Sequence, residues 1–357
     1  GFTPQPAYPA VNTLRTDDMR PHIYRTHDGG KTWTEIAGGM EGAGAVNAVR
    51  EDPKRRGLLY ASTENGVYVS FDDGDRWQSL RLNLPASSVR DLIVKNDDAA
   101  VATHGRGFWI LDDIARLRQI DGKTAARDAV LFKPATAWRV RWNTSTDMPW
   151  PKDEPTLPNP PEGTAIDYYL KSPATGPITL EILTPAGRLV RRYSSADPVP
   201  PAPTPATSPV PLYWYRPPQR LSAGAGVHRF HWDLPYPPPG GGGGGRGGLS
   251  VQGVPASTAP STGTPLVTPG TYTVKLTVNG ASQSQTMTVK QDPRVKTPAL
   301  VLQNVYSLIN AVYFGAIDAR AAQDRAQNLR SQTAARLQTA GAAVKTSLEA
   351  FDKKLDG

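Results

Sequence analysis

The residues of this chain best suited to chemistry are acids, histidines and arginines set in turns. Asp28 and Asp72 stand in two turns of the same make, Asp112 and Asp113 are adjacent, and His104 and Arg106 flank Gly105. Two carboxylates can cleave a glycosidic bond when they stand roughly 5–10 Å apart. An arginine can hold a ligand carboxylate through two parallel N–H bonds, and a histidine can exchange a proton near neutral pH. Adjacent strand residues point to opposite faces, so Asp112 and Asp113 make a poor acid pair and suit capping or turn roles. His228 and His231 are three apart in a strand-like run and face opposite sides, which argues against a shared metal. The glycine run 240–245 lacks the Lys-Ser/Thr and the strand–helix setting of a phosphate loop. No metal site and no cofactor is expected.

Asp28 and Asp72 belong to a repeat. Thr26, Asp28, Gly30 and Trp33 recur as Ser70, Asp72, Gly74 and Trp77, in the pattern hydroxyl, any, Asp, any, Gly, any, any, Trp. Each copy follows one strand-like run (22–25, then 67–69) and precedes another (34–36, then 78–80). The elements that carry them are therefore β-hairpins with turns built by side chains. The Asp accepts bonds from backbone N–H groups that the bend leaves unpaired, and the hydroxyl closes the turn. Gly30 and Gly74 supply positive φ without a Cβ clash. Trp33 and Trp77 offer a large apolar plate to a neighbouring hairpin.

This pattern resembles the Asp-box, or BNR, repeat of sialidase-like β-propellers. The phrase 102–114, with His104, Gly105, Arg106, Gly107, Phe108 and Trp109, is similar to bacterial BNR-repeat proteins related to the sortilin ectodomain and commonly called glycosyl-hydrolase-like. The resemblance covers roughly residues 20–117 and extends more loosely beyond. It implies a structural part for Asp28 and Asp72, because in such propellers the Asp-box turns lie on the face away from the ligand. Turns alternate between faces along a meander. Glu64, Asn65, His104 and Arg106, on the second-to-third-strand turns, are then expected to border the ligand face. The sialidase set of three Arg, a Tyr with a Glu, and an Asp comes from several blades, and no residue here is assigned to it. The catalytic residues are unknown.

The composition fits a mainly β protein with extra loops. The 357 residues hold 35 Pro and 33 Gly, above the ordinary usage of roughly 12% for the two together. Cys is absent, which rules out disulfides and thiolate metal sites. The formal charge of +8 comes from scattered Lys and Arg without the interleaved aromatics of a nucleic-acid surface. No uninterrupted apolar run reaches the roughly 18 residues of a membrane span, so none is expected. The start shows no signal peptide and no initiator Met, and it falls inside a repeat.

The expected fold is about two and a half blades of a β-propeller over 1–117, a linker or crossover over 118–165, an immunoglobulin-like β-sandwich with Pro/Gly-rich loops over 166–295, and an α-helical hairpin over 296–357. Residues 1–21 read as a Pro-rich loop or a broken leading edge, and 22–37 as two strands. Residues 46–80 make a full blade and 88–111 three strands of another, in a step of about 40 residues, a blade's usual length. Propellers hide their edges by closing with four to eight blades. These strands cannot close, so N-terminal blades of the same chain are expected as a partner. In the second domain, 178–183 and 189–193 read as one hairpin, and 272–278 and 285–289 pair across Asn279 and Gly280. The tracts 198–209 and 237–248 read as surface loops. From Thr297, a capping candidate, with Pro298 in the first turn, the pattern is helical, with a break at Gly341.

Two functions follow from the resemblance and stay open at this stage. One is an exported, secreted or periplasmic protein that binds carbohydrate or peptide at the propeller's central face. The other is a glycoside hydrolase, sialidase-like or otherwise exo-acting, whose catalytic residues lie mostly in other blades.

Overall fold

The computed structural model describes residues 6–141, 153, 163–198, 204–206, 212, 219–237 and 264–354. The expected Pro-rich loop 149–161 and the tracts 198–209 and 237–248 lie almost wholly outside the described residues.

Three small antiparallel sheets come first. β1 (Ala10–Val11), β2 (His22–Arg25) and β3 (Thr34–Glu35) form one. Ala10 pairs with Ile23, so of the two readings of this segment, loop or broken leading edge, it supplies an edge strand, with a short 3-10 turn at Leu14–Thr16. β4 (Val46–Asp52), β5 (Arg55–Thr63), β6 (Gly66–Ser70) and β7 (Gln78–Ser79) form the second, in chain order. β8 (Val89–Lys95), β9 (Asp98–Thr103) and β10 (Phe108–Leu111) form the third.

Strand alternation stacks these sheets face to face. On β5, Leu58 and Tyr60 point one way and join Val67, Leu92 and Val101 in one cluster. Leu59 and Ala61 point the other way and join Ile23, Ile36, Met40 and Trp77. The middle sheet is therefore buried on both faces. Each fully buried Leu, Ile or Val contributes about 1.5–3 kcal/mol to this stacking.

The two Asp turns have the expected chemistry. Thr26 Oγ1 donates to Asp28 Oδ1 at 2.8 Å and accepts from Gly30 N at 3.0 Å. Asp28 Oδ1 also accepts from Lys31 N and Thr32 N, at 2.9 and 3.0 Å. Ser70 Oγ repeats this toward Asp72 Oδ1 (2.8 Å) and Gly74 N (2.9 Å), and Arg76 N donates to Asp72 Oδ1 at 3.0 Å. Gly30 and Gly74 have φ of +88° and +91°. A Cβ on Gly74 would also collide with Ile36 Cδ1, so this turn sits hard against the first sheet.

The two Trp residues part company. Trp77 is 3% exposed, its ring Nε1 donates to Ile36 O at 2.6 Å, and its backbone N donates to Gly38 O at 2.9 Å. Trp33, expected to be the same apolar plate, is 48% exposed and turns back to donate to Gly30 O. It belongs to none of the hydrophobic clusters, because no described sheet stacks on its side.

Eight strands lie among the described residues of the second domain. They are β11 (Ala129–Leu131), β12 (Ala137–Arg139), β13 (Thr164–Leu170), β14 (Thr179–Leu183), β15 (Leu189–Ser194), β16 (Gly226–Trp232), β17 (Gly270–Val278) and β18 (Ala281–Gln291). One sheet has the order β11-β13-β16 and the other β12-β18-β17-β14-β15. Residues 129–139, expected in the crossover, thus supply a strand to each sheet, and β12 runs parallel to β18. Ile166, Phe230 and Trp232 of the first sheet share one core with Leu180, Val274 and Met287 of the second. The β17–β18 turn falls at Asn279 and Gly280 as the sequence implies, with φ of +48° and +82°.

Two helices end the described chain, α1 (Ala299–Leu337) and α2 (Ala342–Lys354). Pro298, not Thr297, occupies the N-cap position, and no side chain caps the first turn. α1 packs one face on the second domain. Tyr313 stacks on Tyr236 at 4.6 Å and its hydroxyl donates to Pro237 O at 2.8 Å. By length and composition α1 is long and apolar enough to cross a membrane, which the count of uninterrupted apolar residues misses because Gln303, Asn304, Ser307 and Asn310 break the run.

The Trp contrast gives a direct test. Trp77→Ala is expected to destabilise the chain by about 3–5 kcal/mol in denaturant titration, and Trp33→Ala by less than about 1 kcal/mol. A pH test follows from Asp28. Bonds from the Thr32 backbone N–H, then the Thr32 and Thr26 hydroxyls, hold its carboxyl at about 2, below the ordinary 3.8. The stabilisation is complete above about pH 4 and is lost as pH falls toward 2. Asp28→Asn should flatten that acid limb of the stability curve.

Candidate functional site

The β5–β6 turn (64–65) and the β9–β10 turn (104–107) lie together at one end of the stack, opposite the Asp turns. A meander sends alternate turns to opposite ends, so the strand order alone produces this. Glu64 and Asn65 are tied down there. Glu64 Oε1 accepts from Asn47 Nδ2 at 3.1 Å and from Arg90 Nη1 at 3.0 Å. Asn47 Nδ2 also donates to Val89 O, and Asn65 Nδ2 donates to Gly42 O. This network stitches the second sheet to the third.

His104 and Arg106 are different. The His104 backbone N donates to Ser88 O at 2.8 Å and Arg106 O accepts from Trp109 Nε1 at 3.1 Å, so the main chain is fixed. Thr103 Oγ1 donates to Gly107 O, closing the turn across Gly105 and Gly107, with φ of +84° and +67°. Both side chains are exposed and have no bonded partner among the described residues. The turn therefore presents an imidazole and a guanidinium from a rigid base, next to the Arg90–Glu64 pair.

The opposite end is crowded with ion pairs. Asp73 accepts from Tyr8, Arg25 and His27. Arg118 bonds both oxygens of buried Asp52, at 2.9 Å each, and reaches Asp97 as well. Arg229 of β16 bonds Asp167 in two places at 2.8 Å and donates to the Asp112 and Asp113 carbonyls. These contacts bolt the second domain onto the third sheet.

A cavity of about 320 Å³ opens at that junction, lined by Asp98, Asp112, Asp113, Trp138, Arg229 and His231 among others. Ala99 pairs with Leu111 across β9 and β10, which sets Asp98 opposite Asp112. Burial, and then the Asp98 charge, push the Asp112 carboxyl above its usual range. Burial does the same to Asp113. The adjacent pair Asp112 and Asp113 is thus not the pair that forms. Asp98 comes nearest instead: its Oδ1 accepts from Asp113 N at 2.9 Å and its charge acts on Asp112, which the register of 98–103 against 108–111 already implied. His228 and His231 do not converge. His228 Nε2 meets Gly224 O at 2.7 Å, whereas His231 faces the cavity.

No family model matches this chain, and no curated protein matches it. Among solved structures, YCF48 bound to D1 peptide is 20% identical over 26% of this chain and 30% of its own, with a TM-score of 0.22. The extracellular domain of the one- or hybrid two-component system BT4673 from B. thetaiotaomicron, in two structures, is 9–10% identical over 76–77% of this chain. It is covered over 28–29% of its own length, with a TM-score of 0.21. The chain spans about a third of the length of these structures.

A titration tests the acid pair. The Asp112 midpoint, followed by carboxyl NMR shifts, should lie above 3.8, and Asp98→Asn should move it down.

Proposed function

We propose that this chain is part of an exported β-propeller binding protein of Asp-box type. Its second-to-third-strand turns form part of the ligand face, and its ligand is a carbohydrate or peptide bearing a carboxylate. The supporting observation is the turn 103–107, which holds His104 and Arg106 exposed and unpaired on a fixed backbone. A guanidinium free of internal partners is suited to a bidentate carboxylate. The second domain acts as an immunoglobulin-like support for this unit through Arg229.

Further blades are part of the proposal. Ile93, Phe108 and Ile110 share one face of the third sheet and are 51%, 81% and 63% exposed. At the other end of the stack Trp33 is bare. A blade-type sheet on each side would cover both, as Trp77 and Leu92 are covered between the described sheets.

The test is direct binding of the full chain to immobilised acidic oligosaccharides and acidic peptides. Arg106→Ala is expected to weaken the best probe about tenfold or more, and His104→Ala to weaken it as well. Equal binding by both variants would refute the role of this turn.

The hydrolase reading has one observation in its favour. Asp98 and Asp112 line one cavity, where burial and the Asp98 charge push the Asp112 carboxyl above its usual range, beside Trp138, which is 45% exposed and offers a plate for a sugar ring. Turnover of chromogenic glycosides that is lost in both Asp98→Asn and Asp112→Asn would support it. The absence of turnover across glycoside classes would remove it.

A further inference from the structure

The sheet β12-β18-β17-β14-β15 ends on β15, and a cavity of about 650 Å³ lies between that strand and α1. Tyr236, Tyr313 and Phe314 form its floor, with ring centroids 4.6–5.3 Å apart. Arg188 is fixed at its wall, over the Phe314 ring at 3.6 Å and bonded to Asp318 at 3.2 Å.

The backbone of β15 has a bare edge. Ser195 N donates to Ile178 O at 3.0 Å, so 195 and 178 are a bonded pair. Bonded pairs alternate along an antiparallel ladder. Tyr193 and Arg191 therefore turn their N–H and C=O groups to β14, and Ser194 and Arg192 turn theirs outward. Asp197 covers Ser194: its Oδ2 accepts from Ser194 N at 2.6 Å and its N donates to Ser194 O at 3.1 Å. The Arg192 N–H and C=O have no such cover among the described residues. A bare edge beside an apolar cleft is a template for one more strand.

Charge selects the occupant. Arg191 stands over the Tyr193 ring at 5.3 Å, on the cleft side, and strand alternation sends Arg192 to the other face. Neither arginine has a carboxylate partner among the described residues. Like charges on facing strands repel, which disfavours a second copy of β15. The tracts 198–218 and 238–263 continue the chain from the lining residues Asp197 and Pro237, and they contain no Asp or Glu.

We propose that this groove binds an extended acidic peptide of a partner protein as an added strand on β15. One face of the peptide lays apolar side chains on Tyr313 and Phe314 and an acid beside Arg191. The other face sets an acid on Arg192, and a guanidinium can hold that carboxylate through two parallel bonds. The site lies on the second domain and shares no residue with the 103–107 turn.

The probe is a blocked fluorescent peptide of alternating Glu and Leu, about six residues long, read by anisotropy as the full chain is added. A dissociation constant of about 100 µM or tighter is expected, with the Lys-for-Glu peptide at least about tenfold weaker. The Arg192 amide should exchange about tenfold or more slower with peptide bound, because its N–H then has an acceptor. Both readouts use the unaltered chain, so they do not depend on a variant folding. Arg191→Glu with Arg192→Glu should weaken the Glu peptide about tenfold or more. No binding at about 100 µM, equal binding of the Lys peptide, or unchanged exchange at Arg192 would each overturn the proposal. Binding that Arg106→Ala abolishes and the double Arg→Glu variant keeps would assign the peptide to the 103–107 turn and overturn it equally.

Discussion

A tight β-turn leaves backbone N–H groups pointing inward with nothing to accept them, and the first 117 residues depend on how that is solved. Asp28 and Asp72 place a carboxylate oxygen where two or more bonds converge, and Thr26 or Ser70 accepts from the glycine four positions further on. The turn becomes a solid object. Only then can its outer side be pressed against another sheet, as Gly74 is pressed against Ile36 and as Trp77 is held by Ile36 O and Gly38 O. Buried backbone groups without partners are costly, so an unfilled turn would not tolerate that contact.

The rest of the layout follows from the direction this lock imposes. With the Asp turns at one end, the Glu64–Asn65 and His104–Arg106 turns must come out at the other. One end is consumed by structure, through Arg118 on Asp52, His27 and Arg25 on Asp73, and Arg229 on Asp167. The opposite end keeps the His104 and Arg106 side chains without a bonded partner among the described residues. This division of labour is physical: an arginine already satisfied by buried carboxylates has nothing left for a ligand, whereas Arg106 has all of its donors.

Much of this was legible in the sequence, and the misses have identifiable causes. The Asp–Gly–Trp pattern is local, so its turns, its glycine conformations and the flanking strands could be read from spacing alone. The opposite fates of Trp33 and Trp77 could not, because they depend on which sheet lies alongside. The runs 130–132 and 137–142 read as strand-like and contain most of β11 and β12, but their sheet partners, such as Tyr169 and Lys290, are distant, as is the Ile23 partner of the two-residue β1. The Asp98–Asp112 pair was visible in the register but hidden by the more obvious neighbours Asp112 and Asp113. Thr297 failed as a cap because Pro298 takes the N-cap position itself.

Amide hydrogen exchange at Gly74, Arg76 and Trp77 tests the side-chain-filled turn most directly. If the Ser70–Asp72 cradle and the dock on Gly38 hold the turn as a rigid piece, these three amides exchange as slowly as those of β5 and β6 and open together with them. Free, loop-like exchange at all three while β5 and β6 stay protected would contradict the account.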